Sequence, residues 1–156
     1  MTKVVHLTSV HLIDDNRIFH KECKSLSEMG YEVVLIAPHT RDDDIVDGIR
    51  IRPVCQRANR ISRILLTTWQ VFLAAKDEDA AIYHFHDPEL IGIGLLLKLF
   101  TCSCVIYDVH EYNPDSILER SWIPSFIKPI LSPLFARWEK VTGNYFDAIV
   151  TADEEI

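Results

Sequence analysis

The sequence predicts a doubly wound, Rossmann-like α/β domain, and three observations carry that prediction. Short β-rich apolar runs alternate with stretches of helical periodicity along the chain. One of these runs, Val33 to Ala37, is apolar without a break, as in a strand buried on both faces of a parallel sheet. The 156 residues, 48% hydrophobic and 25% charged, have the size and composition of one globular domain with a real core.

Each element follows from its own pattern. Val4-Val5-His6-Leu7-Thr8 reads as the first strand. From Arg17 to Met29 the apolar residues Phe19, Cys23 and Leu26 recur at helical spacing, and Gly30 supplies the stop. Val33 to Ala37, bounded by Pro38, is the second strand. Gly48 to Pro53 alternates with period two, as a strand near a sheet edge does. A long helix is expected over Ile61 to Lys76, a strand over Ala81 to Phe85, and a proline-started helix over Pro88 to Phe100. Cys104 to Tyr107 and Asp147 to Thr151 are the last strands. Between them, residues 116 to 143 form a proline-punctuated, partly helical stretch. No repeat, low-complexity tract or linker interrupts the series, so residues 1–156 are expected to form a single domain. The alternation predicts a mainly parallel sheet of about six strands with helices on both faces and right-handed crossovers. The first strand should lie beside the fourth, and a crevice should open at the carboxyl ends where their loops diverge.

Several classes are set aside by what the sequence lacks. A net charge of −7 is not the basic field of a nucleic-acid binder. No secretory signal opens the chain, and the longest apolar run, Leu90 to Leu97, is far too short to span a bilayer. The expected location is the cytoplasm. Cys23, Cys55, Cys102 and Cys104 contain no CxxC pair and read as reduced, packed thiols. Val10 to Arg17 holds no glycine, which excludes a GxGxxG pyrophosphate cradle after the first strand. Neither a GxxxxGK[ST] loop nor a GxSxG elbow is present.

Polar residues collect at the strand ends that this fold uses for function. Ser9 to Arg17 follows the first strand, His84 to Glu89 closes the fourth, and Asp108 to Tyr112 closes the fifth. Three neighbouring loops thus bring His, Asp, Glu and Arg to one rim, whereas Lys76 to Ala80 at the opposite rim carries only generic charge. His84 and His86 share a face by period two. His84 lies deeper and reads as a packed histidine, while His86 stands at the strand's mouth. Asp15 or Asn16 also suits the cap of the first helix.

These loops resemble those of the family 4 glycosyltransferases of the two-domain GT-B fold, in particular the bacterial group that builds capsule, O-antigen and exopolysaccharide chains. The resemblance rests on Thr8-Ser9-Val10-His11, Asp15-Asn16-Arg17-Ile18-Phe19-His20-Lys21-Glu22 and Gly30-Tyr31-Glu32-Val33. It continues in His86-Asp87-Pro88-Glu89-Leu90, Tyr107-Asp108-Val109-His110-Glu111, Trp122-Ile123-Pro124 and Asp147 to Ala152. It implies the first, acceptor-side half of a GT-B fold, with the donor-binding carboxyl-terminal domain absent from this chain. Alone, the chain is then expected to be inactive. By resemblance His110 is the catalytic histidine of the interdomain cleft, and Asp15, Arg17, His86, Asp87 and Glu111 bind the acceptor. No cofactor or metal is implied, because fixed positive groups and helix N-termini stabilise the departing nucleotide diphosphate. The nucleotide sugar is a co-substrate, bound through the second domain. Many relatives carry a glycine-rich loop after the first strand; here His11-Leu12-Ile13-Asp14 stands in its place, which puts phosphate contact by that loop in doubt.

A local basic cluster, Arg50, Arg52, Arg57, Arg60 and Arg63, accompanies an aromatic and basic stretch from Ser121 to Lys140 that includes Trp122, Phe126 and Trp138. Such segments can rest in a bilayer interface, which suits a lipid-linked acceptor and peripheral contact with the inner membrane face; packing against the sheet or a second domain is the alternative. Two other functions remain open to the residues. One is a stand-alone sugar- or partner-binding domain. The other is a metal-dependent hydrolase with ligands from His84 to Asp87 and Asp108 to Glu111.

Overall fold

The structure, a computed structural model, describes residues 1–40, 42–109, 117–119 and 123–151. Its strands are β1 (Lys3–Leu7), β2 (Glu32–Pro38), β3 (Asp44–Val46), β4 (Ile49–Val54), β5 (Ile82–Phe85), β6 (Cys104–Val109) and β7 (Ala148–Thr151). They form one sheet in the order β3-β4-β2-β1-β5-β6-β7, parallel except for β3. The first strand lies beside Ile82–Phe85, as the alternation predicts. Helix α1 begins as a wide π-type turn (Ile18–Cys23) and runs on as Lys24–Glu28. Helix α2 covers Arg60–Ser62, Arg63–Thr67 and Thr68–Glu78. Helix α3 covers Pro88–Leu90 and Ile91–Phe100, and α4 is Lys128–Gly143.

Among the described residues the sheet has seven strands rather than about six. The additional one, β3, pairs antiparallel with β4 through a tight turn at Asp47-Gly48. Both turn residues have positive φ, 52° and 79°. That is the backbone of a primed hairpin turn, in which Asp-Gly is favoured because its twist matches that of the strands.

The unbroken apolar run of β2 serves two cores. Val33, Leu35 and Ala37 pack with Ile18, Phe19 and Cys23 of α1 on one face. Val34 and Ile36 join Val71 and Phe72 of α2 and Leu97 of α3 on the other. Gly94 lets α3 approach β5 closely: a Cβ there would stand 2.6 Å from Phe85 Cε1 and 2.9 Å from Phe146 Cε1.

Opposite the loop-rich rim, the charge is not generic. Glu78, buried at the end of α2, is held by Arg50 and Arg52 of β4, with Arg52 Nη1 2.8 Å from Glu78 Oε1. Arg52 also meets Asp77 at 2.9 Å. Two arginines of the local basic cluster are therefore engaged within the fold. Of the aromatic and basic stretch, Ile123 is buried and Phe135 packs against the core, whereas Phe126, Ile130 and Leu134 are exposed. No helix among the described residues is long and apolar enough to cross a membrane.

Candidate functional site

On the α1 face of the sheet, aliphatic side chains give way to polar ones where β1, β5 and β6 meet. His6 of β1 stands in register with His84 of β5. The chain past β5 stays extended, with His86 N donating to Leu7 O at 3.1 Å, so His86 lies one pleat beyond His84. Asp108 of β6 lies beside it. Helix α1 covers this patch and contributes Glu22, while Arg17, just ahead of α1, reaches across to Asp108.

The contacts form a connected chain. Arg17 Nη2 donates to Asp108 Oδ1 at 2.6 Å, and Asp108 Oδ2 lies 3.2 Å from His86 Nδ1. His86 Nε2 lies 3.0 Å from His6 Nδ1. One proton arrangement satisfies all three contacts: His86 donates from Nδ1 to the carboxylate, and its Nε2 accepts from His6 Nδ1. Burial, reinforced by His86 and His84, drives the His6 pKa well below the usual imidazole value and keeps the ring neutral. Glu22 is pushed up to about 7 by burial and by the Asp108 charge, although Arg17 Nε donates to it at 3.1 Å.

Above this patch, the rim loops are tied together by carboxylates. Asp87 Oδ2 accepts from Thr8 Oγ1 at 2.8 Å, from Ser9 N at 2.6 Å and from Ser9 Oγ at 3.2 Å. Asp15 Oδ1 accepts from the Arg17 and Ile18 backbone N–H groups, both at 2.9 Å, and so closes the start of α1. Its other oxygen lies 3.0 Å from His11 Nδ1, and these partners, led by the two backbone donors, outweigh burial and hold its pKa below the usual value. Glu89 links Ser9 Oγ at 2.6 Å to Arg63 of α2 at 3.0 Å. Beside Glu89 opens a cleft of about 340 Å³ with walls from Ile64, Ile123, Leu131, Phe135 and Trp138, and with Arg60 and Arg63 at its edge.

The structure thus brings Asp15, Arg17, His86 and Asp87 to one rim. His86 and Asp87 are buried in it, whereas Asp15 and Arg17 remain partly open to solvent. His110 and Glu111 lie outside the described residues. Sequence reasoning missed His6 and Glu22 as members of the site and named Asp108 only at the strand end and among the ligands of the metal-hydrolase alternative. The period-two argument that paired His84 with His86 would have found Asp108 on its own strand. Nothing local marks His6 or Glu22.

A Rossmann-type, mainly parallel sheet whose carboxyl rim gathers imidazole, carboxylate and guanidinium groups places the chain in the α/β class. Residues 16–156 match Glycosyltransferase Family 4, and the chain belongs to that family. No curated protein matches it. Among solved structures it is similar to a sucrose-phosphate synthase from Thermosynechococcus elongatus, with TM-score 0.67 and 10% identity, over 96% of this chain and 42% of that one. It is also similar to the catalytic domain of starch synthase IV from Arabidopsis thaliana, bound to ADP and acarbose, with TM-score 0.53 and 10% identity, over 72% of this chain and 34% of that one. At such identity the likeness speaks for the fold, that of a GT-B glycosyltransferase domain. The chain spans less than half the length of either structure.

Proposed function

We propose that this chain is the acceptor-side half of a nucleotide-sugar-dependent glycosyltransferase, acting in bacterial surface polysaccharide synthesis on a glycan or lipid-linked glycan. The observation that carries the reading is the convergence of the carboxyl ends of β1, β5 and β6 on one rim, in a chain of Glycosyltransferase Family 4. There Arg17, Asp15 and His11 offer charged and hydrogen-bonding groups for sugar hydroxyls, fixed in place by Asp108 and by the start of α1. The adjoining cleft, apolar with Arg60 and the Arg63–Glu89 pair at its edge, suits an acceptor that carries an apolar portion. The exposed Phe126, Ile130 and Leu134 support peripheral membrane contact on the same account.

In this reading the acceptor half orients one hydroxyl and manages its proton, work that imidazole and carboxylate perform well. His110, which follows β6 directly in the sequence, is the residue proposed for that role, with Glu111 next to it in the sequence as an acceptor contact, while the buried His86 and Asp87 brace the rim from within. The second domain holds the nucleotide sugar and stabilises its departing diphosphate. The test uses the two-domain enzyme with lipid-linked and soluble glycans as acceptors. His110→Ala should lower turnover by about 10²–10⁴-fold while the melting temperature is retained. A variant that transfers sugar at the wild-type rate would remove His110 from the mechanism.

A further inference from the structure

The buried histidines beneath the rim suit a second task. Glu22 Oε2 lies 3.7 Å from His6 Nδ1, 3.8 Å from His84 Nδ1 and 3.8 Å from His86 Nε2. One ligand atom from each of these four residues falls within 4.8 Å of every other. We infer that His6, Glu22, His84 and His86 form a closed binding site for one divalent transition-metal ion of the zinc class.

Geometry, partners and charge all support the assignment. A tetrahedral zinc with bonds of about 2.0–2.1 Å holds its ligand atoms about 3.3 Å apart. The separations of 3.0, 3.7 and 3.8 Å lie on either side of that value and none exceeds 4.8 Å, so ring and carboxylate rotations close the site. Glu22 Oε2, the oxygen turned toward the three rings, is buried and has no hydrogen-bond partner. Interiors rarely leave such atoms unsatisfied. The surrounding layer is also that of a metal site: His86 turns Nε2 inward while its Nδ1 meets the Asp108 carboxylate, which Arg17 holds. Arg17 binds Glu22 through Oε1 and leaves Oε2 facing the rings. Glu22 supplies the anionic ligand, and the ion replaces the proton shared between His6 and His86.

Three imidazoles with one carboxylate select zinc-like ions over magnesium or calcium, which take oxygen ligands. Four protein donors fill a tetrahedron, so the ion braces β1, β5 and α1 and leaves no position for substrate. The metal-hydrolase reading of the sequence is distinct from this, for Asp87 is engaged by Thr8 and Ser9, and Asp108 sits in the outer layer.

The test strips the purified protein with EDTA and titrates it with Zn²⁺ alone by calorimetry, with Co²⁺ as a spectroscopic stand-in. One zinc per chain, a raised melting temperature and the intense visible bands of tetrahedral cobalt are expected. Glu22→Gln keeps the shape but removes the anionic ligand. It should weaken zinc at least as much as the roughly 10–100-fold that loss of an outer partner brings, and Asp108→Asn should fall in that range. His20→Gln, on the exposed side of α1, should change nothing. Circular dichroism in EDTA shows whether each variant is folded, and the cobalt spectrum of the unaltered protein needs no variant. Absence of stoichiometric zinc, an octahedral cobalt spectrum, or undiminished binding in folded Glu22→Gln would each overturn the site.

Discussion

Asp87 shows how one side chain can shape a rim without facing solvent. Its carboxylate collects the Thr8 hydroxyl, the Ser9 N–H and the Ser9 hydroxyl, and its other oxygen lies 3.5 Å from His11 Nε2. Removing it strands two buried donors, the Thr8 hydroxyl and the Ser9 N–H, each of which then carries its full desolvation penalty, while the Ser9 hydroxyl keeps Glu89. Asp87→Ala should therefore destabilise the fold by about 2–4 kcal/mol. Asp87→Asn, which keeps an acceptor oxygen, should lose less. Denaturant unfolding of both variants measures this, and an Asp87→Ala protein as stable as the parent would deny the carboxylate its structural part. Any acceptor KM measured for these variants must be read per folded molecule. The sequence placed Asp87 at the rim because it follows a strand, but could not show that its bonds turn inward to β1. His6 was less legible still. It looked like a polar interruption of an apolar strand, and the residue that gives it meaning, His84, lies on a strand 78 positions later whose register no local pattern reveals.

At the scale of elements, the end of α2 is fastened to β4 by the Arg50–Glu78–Arg52 group. Burial alone would raise the Glu78 pKa. Hydrogen bonds from Arg50 and Arg52, then their charges, overcome burial and leave it below the usual glutamate value. A carboxyl whose pKa is lowered on folding adds stability that is complete above its unfolded value of about 4.3 and is lost as pH falls through the lower folded value. Glu78→Gln should cost about 1–2 kcal/mol near neutral pH, a figure reduced because both guanidinium groups remain partly in water. The gap between parent and variant should close as pH falls below about 4. Urea midpoints of the two proteins at a series of pH values would show it, and a gap that persists unchanged into acid would contradict the ion-pair account. The sequence suggested a membrane-facing role for Arg50 and Arg52, because clustered arginines invite it. Only the fold reveals the carboxylate across from them. The β3–β4 hairpin was closer to hand, since Asp47-Gly48 between short apolar runs is a strong turn signal. Three residues of β3 were too few to stand out by periodicity.

For the whole molecule, the alternation of strand and helix determined most of what can be read, because parallel strands must return through crossovers and place their loops on one rim. The sheet order, the adjacency of β1 and β5, and the convergence of their loops follow from that constraint. The same constraint bears on the partition of labour in the proposed enzyme. The loop from Val10 to Arg17 has no glycine with which to wrap a diphosphate, and Asp15, Asp87 and Glu89 place carboxylates around it. Arg17 is paired with Asp108 and Glu22, and Arg63 with Glu89, so the nearest cations are already partly neutralised. Among the described residues, a nucleotide diphosphate brought to this rim meets more negative charge than positive, and the glycine-free Val10 to Arg17 loop offers no backbone cradle. The 156-residue chain by itself should accordingly show no sugar transfer and should bind a panel of nucleotide sugars no more tightly than about 1 mM by calorimetry. Joined to the donor half that the proposed function requires, the same protein should bind them and transfer. Binding of a nucleotide sugar to the isolated chain well below that concentration would move the donor site onto these residues and undo the division between acceptor and donor halves.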